Sequence, residues 1–268
     1  MTHMRPLVEF PRDARRAVRH VLTDIDDTLT DGGRLGAKAY RALDALSAAG
    51  MTVVIVTGRP AGWCDMIARQ WPVSAVVGEN GACYMRYDAA RGRMERRFWR
   101  DEAARAADRA RLKTLGRRIL REVPGTALAS DQPYREADLA IDYCEDVPPL
   151  GPEAVERILA LFRAAGATAK ASSIHVNGWF GDYDKLAMTK RLFAEVFGVE
   201  LDRARDNTVF VGDSPNDEPM FSYFLNAVGV ANVRRFLPGL RNPPSWVTRA
   251  EGGAGFAELA DALLEART

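Results

Sequence analysis

The sequence predicts an α/β chain: a doubly wound, Rossmann-like parallel sheet interrupted by an inserted α+β unit. Three observations predict it. From Val21 to Val77, short β-branched apolar runs alternate with helical segments over short links, the pattern of a parallel sheet covered by helices. From Asp184 onward the same alternation resumes. Between the two stretches it breaks at Ala82, and pairs of short strands separated by helices take over.

The elements follow in order. Val21-Leu22 ends a short buried strand. Residues 36–50 place Ala37, Tyr40, Leu43, Leu46 and Ala48-Ala49 at helical spacing and finish on a glycine suited to the C′ position. A buried strand covers 51–56. Pro60 suits the first position of a helix that runs to about Trp71 and stops before Pro72. Residues 74–77 form the third strand. Segments 83–87 and 94–99 flank Asp88-Ala89-Ala90-Arg91-Gly92 and read as a hairpin. A charged helix spans 101–122, halted by Pro124-Gly125; short strands at 127–130 and 138–143 precede a Pro/Gly loop. A helix at 153–165 and a strand pair at 167–171 and 173–177 close the insert. The insert is therefore placed at residues 83–177, between core segments 1–82 and 178–268. The core then continues with a helix at 184–197, a strand at 208–211, a helix at 215–224, a strand at 227–230 and a closing amphipathic helix at 251–264.

Composition sets limits. At 268 residues and 47% apolar content the chain is long enough for one large or two modest domains with real cores. Its 37 Lys and Arg against 36 Asp and Glu give a net charge of +1, so no strong pull toward nucleic acid or anionic membranes is expected. Cys64, Cys83 and Cys144 are odd in number and unpaired in spacing, which reads as reduced thiols in a cytoplasmic protein. His3, His20 and His175 are too scattered for a zinc site. The arginine-bearing N-terminus lacks a following apolar segment, and no apolar run approaches a bilayer's span. Only five cations are Lys, at positions 38, 113, 170, 185 and 190; a Lys in so arginine-rich a chain marks a place where a compact ammonium is wanted. Lys185 fits that idea, whereas Lys190 reads as a solvated helix residue.

The chemistry is concentrated where strands should end. Asp24-Ile-Asp26-Asp27-Thr28-Leu29-Thr30 sets two carboxylates two residues apart, directly after the first strand. Ligands of open α/β sheets bind outside the strands' carboxyl ends, and crowded acids there oppose one another's ionisation unless a cation relieves them. Alone, the run would read as an acidic turn or helix cap. It is not alone. Val53-Val54-Ile55-Val56-Thr57-Gly58-Arg59 ends a second strand in a hydroxyl, Lys185 opens a helix, and Val209-Phe210-Val211-Gly212-Asp213-Ser214-Pro215-Asn216-Asp217 ends a third in two more acids.

In sequence order these four segments resemble the motifs of the haloacid dehalogenase-like (HAD) superfamily of phosphohydrolases: Asp-x-Asp-x-Thr, a hydrophobic strand ending in Thr, a Lys, and Gly-Asp-x-x-Asn-Asp. The pattern runs from about Val21 to Leu264 and leaves out only the N-terminal arm. Gly78-Glu79-Asn80-Gly81-Ala82 resembles the Asn-Gly-Ala turn of the branch with the large type IIB cap, and the interval from Asp26 to Thr57 leaves no room for a cap, so the later insert must be the lid.

The resemblance implies hydrolysis of a phosphate monoester through an aspartyl-phosphate, on a small metabolite such as a sugar phosphate. Asp24 would be the nucleophile and Asp26 the general acid and base. Asp27, where the family often has Gly, is assigned only a turn. Mg²⁺ would sit on the Asp24 side chain, the Asp26 backbone carbonyl and Asp213, with Asp217 joining directly or through a water. Thr57 with Gly58, Asn216 and Lys185 would hold the phosphoryl group, and Thr28 would brace the loop. For Arg59, substrate contact and helix-start packing both remain open. Arg135, Glu136, Asp138, His175 and Asn177 are the cap residues that would read the leaving group. A phosphomannomutase-like phosphosugar mutase is the alternative activity. A non-catalytic phosphate-binding module on the same fold is the alternative of another class; it would be expected to have lost at least one of Asp24, Asp26, Lys185, Asp213 and Asp217, all of which are present.

Overall fold

The structure, a computed structural model, describes residues 4–268, so His3 lies outside the described residues. The chain opens with β1 (Arg5–Pro6) and α1 (Arg12–Ala17), then β2 (His20–Thr23). A small hairpin, β3 (Thr30–Asp31) and β4 (Arg34–Leu35), leads into α2 (Ala37–Ala48), β5 (Thr52–Val56), α3 (Ala61–Gln70) and β6 (Ala75–Gly78). β7 (Cys83–Asp88) and β8 (Arg93–Phe98) follow. Next come α4 (Glu102–Glu122), β9 (Ala127–Leu128), β10 (Asp138–Asp142), α5 (Pro152–Ala164), β11 (Thr168–Ala171) and β12 (His175–Trp179). The chain ends with α6 (Lys185–Leu192), β13 (Thr208–Gly212), α7 (Glu218–Tyr223), β14 (Asn226–Gly229), β15 (Trp246–Val247) and α8 (Gly252–Glu265).

Nine strands form the central sheet in the order β1-β15-β14-β13-β2-β5-β6-β7-β8. It is parallel from β1 through β6 and antiparallel for β7 and β8. Its central strands are buried on both faces, as their unbroken Val/Ile runs require. One face packs Val21, Val53, Ile55 and Val209 under α2 and α8; the other packs Leu22, Val54, Val56 and Phe210 under α6 and α7. The N-terminal arm joins this sheet, because β1 pairs with β15 at the far edge.

The insert is a second, smaller layer. Its four-stranded antiparallel sheet, order β11-β12-β10-β9, lies under α4 and α5. Alternation along the strands divides its residues between two faces. Leu139, Ile141 and Val176 meet Leu112, Ile119, Ile158 and Phe162 of the helices, and Gly178 gives Phe162 room, since a Cβ there would fall 2.1 Å from its ring. Asp138, Asp142, His175 and Asn177 occupy the opposite face and are also buried.

The boundary differs from the expected 83–177. The 83–98 hairpin belongs to the core, where β7 pairs with β6 through Val76↔Met85, Val77↔Tyr84 and Gly78↔Cys83. At the other end β12 stays in the cap sheet through Trp179. The cap therefore runs from α4 to β12. A hairpin's local pattern is the same whichever sheet it extends, which is why its sequence did not reveal its partner. The helix expected at 184–197 is α6 followed by a π-helical turn, Phe193–Phe197, closed by Gly198 at φ 64. No helix among the described residues is long and apolar enough to cross a membrane.

Candidate active site

Because β2 lies between β13 and β5, the chain leaves one edge of the sheet at three neighbouring points. Asp24 is the first residue past β2, Thr57 the first past β5 and Asp213 the first past β13. The Asp24 N–H donates to Val211 O at 3.0 Å and the Thr57 N–H to Val77 O at 2.9 Å, so the ladder hydrogen bonding still fixes both residues. The strand order reverses here, the place where doubly wound sheets leave a crevice.

Lys185 arrives from above as the first residue of α6, whose N-terminus is capped by Asp184 accepting from the Ala187 N–H at 2.7 Å. Gly81 permits the approach: at φ 104, any Cβ on it would stand 2.0 Å from the Asp184 carbonyl. The Lys185 ammonium donates to Asp24 Oδ1 at 3.0 Å and Asp217 Oδ1 at 2.7 Å. Asp217 in turn accepts the Asp213 N–H on Oδ2 at 3.1 Å. Asp213 is held by the Thr28 hydroxyl at 3.1 Å, the bracing role expected of Thr28, and by Asn232 Nδ2 at 3.2 Å.

Asp24, Asp213, Asp217 and Lys185 are all buried. Burial pushes the Asp24 carboxyl up to about 7; Lys185 opposes the rise, while Asp217 and Asp26 add to it. Burial also holds the Asp213 carboxyl well above the usual carboxylate range, helped by the charges of Asp217, Asp24 and Asp27. Burial disfavours the Lys185 charge, but Asp217 and Asp24 outweigh that and raise it. Three acids thus face one ammonium, with an oxygen of each of Asp24, Asp213 and Asp217 within 4.8 Å of the others. Hard oxygen donors carrying unbalanced negative charge fit a divalent cation.

Two neutral groups stand beside the acids with donors to spare. The Thr57 hydroxyl oxygen accepts the Arg59 N–H at 3.0 Å, so its own proton is left to point elsewhere. The Asn216 carbonyl oxygen accepts the Ser214 hydroxyl at 2.8 Å, which leaves its NH₂ as donor. Gly58 keeps this corner open, since a Cβ would lie 3.2 Å from the Asn80 amide.

Asp26 is reached differently. It lies apart from the buried cluster of Asp24, Asp213 and Asp217, and Arg59 grips both its oxygens at 2.8–3.0 Å. Arg59 does pack at the helix start, its guanidinium 4.6 Å from the centre of the Trp63 ring in the first turn of α3, and it also lines the cavity beside Asp24 and Asp26. It bridges core to cap, reaching Asp131 at 3.3 Å and Glu145 at 2.7 Å. Although burial opposes it, His175 and Arg59 pull the Glu145 carboxyl down to about 2. Asp27 is a turn residue, at φ 53 with its carbonyl accepting from Asn232.

Of the five cap residues expected to face the site, Arg135, His175 and Asn177 line one small cavity with Asp24, Asp26, Gly58 and Asn216, roofed by Ser172, Ser173 and Ile174. Asp138 stands behind them, bonded by Arg135 and Asn177. Glu136 turns outward to Arg109. Lys190 is solvated, as expected, beside Asp202. Glu79, Asn232 and Glu145 were missed. Glu79 sits inside the glycine-flanked turn after β6, which the sequence marks, but Asn232 and Glu145 have no local signal.

The fold and this site define an architecture, a doubly wound sheet whose acid-lined crevice lies under an inserted α+β cap. Residues 21–109 match the family model described as haloacid dehalogenase-like hydrolase. Solved structures share the architecture, cap included. The C. albicans trehalose-6-phosphate phosphatase C-terminal domain is 16% identical at a TM-score of 0.74, over 98% of this chain and 99% of its own. The sucrose-phosphatase from Synechocystis, solved with sucrose and phosphate, is 14% identical at 0.63, over 92% and 98%. A HAD subclass IIB sugar phosphatase is 13% identical at 0.61, over 92% and 98%. Comparison with curated proteins gives no match.

Proposed function

We propose that the chain is a Mg²⁺-dependent phosphatase of a small phosphorylated metabolite, most simply a sugar phosphate, working through an aspartyl-phosphate. The observation that carries this reading is the buried set of Asp24, Lys185, Asp213 and Asp217, flanked by the free donors of Thr57 and Asn216. Asp24, Asp213 and Asp217, with the Asp26 carbonyl, would hold the cation. When bound it supplies charge that lets a dianionic phosphate approach these acids and polarises the phosphoryl group.

The chain's own residues would do the rest. Thr57, the Gly58 backbone, Asn216 and Lys185 hold the phosphoryl oxygens. An Asp24 oxygen attacks phosphorus in line, and as the P–O bond to the alcohol breaks, Asp26, turned from Arg59 toward the substrate and protonated there, gives that oxygen its proton. Asp26, now a carboxylate, takes a proton from a water whose oxygen attacks the same phosphorus. The Asp24–phosphorus bond breaks, releasing inorganic phosphate. Beside the small cavity lined by Asp24 and Asp26, and sharing Asn216 with it, a second cavity of about 360 Å³ is lined by Lys185, Asn80, Thr168, Lys170, Trp179 and Asp182 and would give the leaving group space. Such a mix of amide, hydroxyl and charged groups with two aromatics, Trp179 and Tyr183, suits a polyhydroxylated group. Two of the structural relatives carry names of disaccharide-phosphate phosphatases, in line with this choice.

The test is phosphate release from a broad panel of phosphate esters, with Mg²⁺ and with a chelator. Release of free phosphate from sugar phosphates supports the reading; isomerisation of a sugar phosphate without phosphate release would replace it with the mutase.

A further inference from the structure

Two consecutive non-glycine residues, Glu79 at φ 46 and Asn80 at φ 54, hold left-handed backbone conformations immediately after β6. L side chains seldom hold such a conformation, and both residues are buried. The backbone of this turn is stitched to the Thr57–Arg59 loop: the Glu79 N–H donates to Arg59 O at 3.0 Å and the Asn80 N–H to Thr57 O at 3.1 Å. The Glu79 carboxylate accepts four backbone N–H groups. One comes from the core, Ala61 at 2.9 Å. Three come from consecutive cap residues, Glu136 at 2.8 Å, Ala137 at 2.7 Å and Asp138 at 3.1 Å. Capping α3 would have needed only the first.

A second tie runs the other way beside it. Arg135, buried on the cap, donates through Nη1 to the Gly58 carbonyl at 2.9 Å while Asp131 and Asp138 fix its guanidinium. Burial and the Asp138 charge push the Glu79 carboxyl up to about 7, so this residue sits where its charge is costly. Asn177 reaches the same Asp138 at 2.9 Å, which joins the cap's site-facing strand to the junction.

We infer that Glu79 is a positioning residue, the core's fixed acceptor onto which cap residues 136–138 dock, and that docking sets the Thr57–Gly58 loop through Arg135. The inference rests on the phosphatase reading only for its kinetic part. With the cap docked, Thr57 and Gly58 are held from both sides, by the Glu79–Asn80 backbone and by Arg135. With it undocked, Arg135 leaves the Gly58 carbonyl and the loop loses one of its restraints.

Amide hydrogen exchange and p-nitrophenyl phosphate kinetics on the full-length chain test this. In Glu79→Gln the side-chain NH₂ opposes the converging N–H donors, and exchange at 136–138 is expected to quicken at least about tenfold while Ala140 and Val176 stay protected. Turnover of p-nitrophenyl phosphate in Mg²⁺ should drop about tenfold in kcat, with a smaller change in KM. Glu79→Asp, which keeps the charge but withdraws it by one methylene, carries the same test should the Gln variant not fold. Unchanged exchange at 136–138, or equal quickening across the whole cap, overturns the docking role. Quickened exchange with kcat unchanged overturns the link to Thr57–Gly58. Should the wild-type chain hydrolyse no ester, the phosphatase reading fails while the exchange result still decides the docking role.

Discussion

At Asp24 burial and the proposed reactivity pull in opposite directions, because the carboxyl that burial pushes up to about 7 would have to be ionised to attack phosphorus. A carboxyl raised in the folded state contributes stability that is complete below its unfolded value near 4 and is lost as pH rises through about 7. In chelator, therefore, stability should fall across that window, and the rise in Tm produced by Mg²⁺ should be larger at pH 8 than at pH 5. Asp24→Asn removes the term altogether. In chelator at pH 8 it should be more stable than the wild type, by on the order of a few kcal/mol, the two converging toward pH 4. It should also lose turnover, since attacking charge and metal ligand go together. Denaturation curves at several pH values check the first half; more than a few per cent residual activity would remove Asp24 as nucleophile. Asp26 stands outside the acid cluster, so Asp26→Asn should keep Mg²⁺ affinity in calorimetry while slowing turnover roughly 10²–10⁴-fold, the usual worth of general acid–base catalysis. An affinity loss as deep as that of Asp213→Ala would show the two roles confused.

Elements position these groups through close approaches that only small residues allow. Gly212 ends β13, and a Cβ there would lie 2.3 Å from Asp217 Oδ2 and 3.0 Å from the Phe210 ring. Gly212→Ala should therefore displace Asp217 from Lys185 and the Asp213 N–H at a stability cost of about 1–3 kcal/mol. Mg²⁺ affinity and kcat should both fall while circular dichroism stays native; wild-type kinetics would show that Asp217 tolerates the shift. The strand ends, the helix opened by Lys185 and the two-layered architecture were legible in the sequence because each is written locally, as a β-branched run, a cap or a breaker. What was not legible depends on partners distant in sequence. The 83–98 hairpin has the same alternation in either sheet, and only its pairing with β6 assigns it to the core. Arg59 follows Thr57-Gly58 in a way that suited substrate or helix, yet Asp26, Asp131 and Glu145 claim it from three other segments. Asn232 secures Asp213 from a stretch of 3₁₀ helix with no motif around it. Glu145 reaches Arg59 because Asp142 accepts the N–H groups of Cys144, Glu145 and Asp146 and folds that loop back.

On the scale of the whole molecule, the division of labour between layers decides what should survive separation. Asp24, Asp26, Thr57, Lys185, Asp213, Asn216 and Asp217 all stand on the nine-stranded core, and the cap supplies the roof and the Arg59 and Glu79 contacts. Activity of the intact chain should vanish in chelator, return with Mg²⁺ and return poorly with Ca²⁺, which prefers more ligands at longer distances. The cap's two crossings lie close together: the Trp99 N–H donates to Ala82 O at 2.8 Å, and Gly81 lies against the Asp184 carbonyl. Replacing residues 101–180 with a short Gly/Ser linker is therefore sterically feasible and leaves every strand of the core sheet intact, including the hairpin. The severed core should remain folded and bind Mg²⁺, because no acid of the cluster is removed. Without the roof, water reaches Asp24 freely and Arg135 no longer restrains Gly58, so p-nitrophenyl phosphate should be hydrolysed only weakly. The 360 Å³ cavity would lose Thr168, Lys170 and Trp179, its whole contribution from the cap. Discrimination among phosphate esters should flatten accordingly, measured as the spread of kcat/KM across the same panel. A folded core that kept the full-length ranking of substrates would place specificity in the core loops, with Asp182 and Asn216 as the residues to examine next.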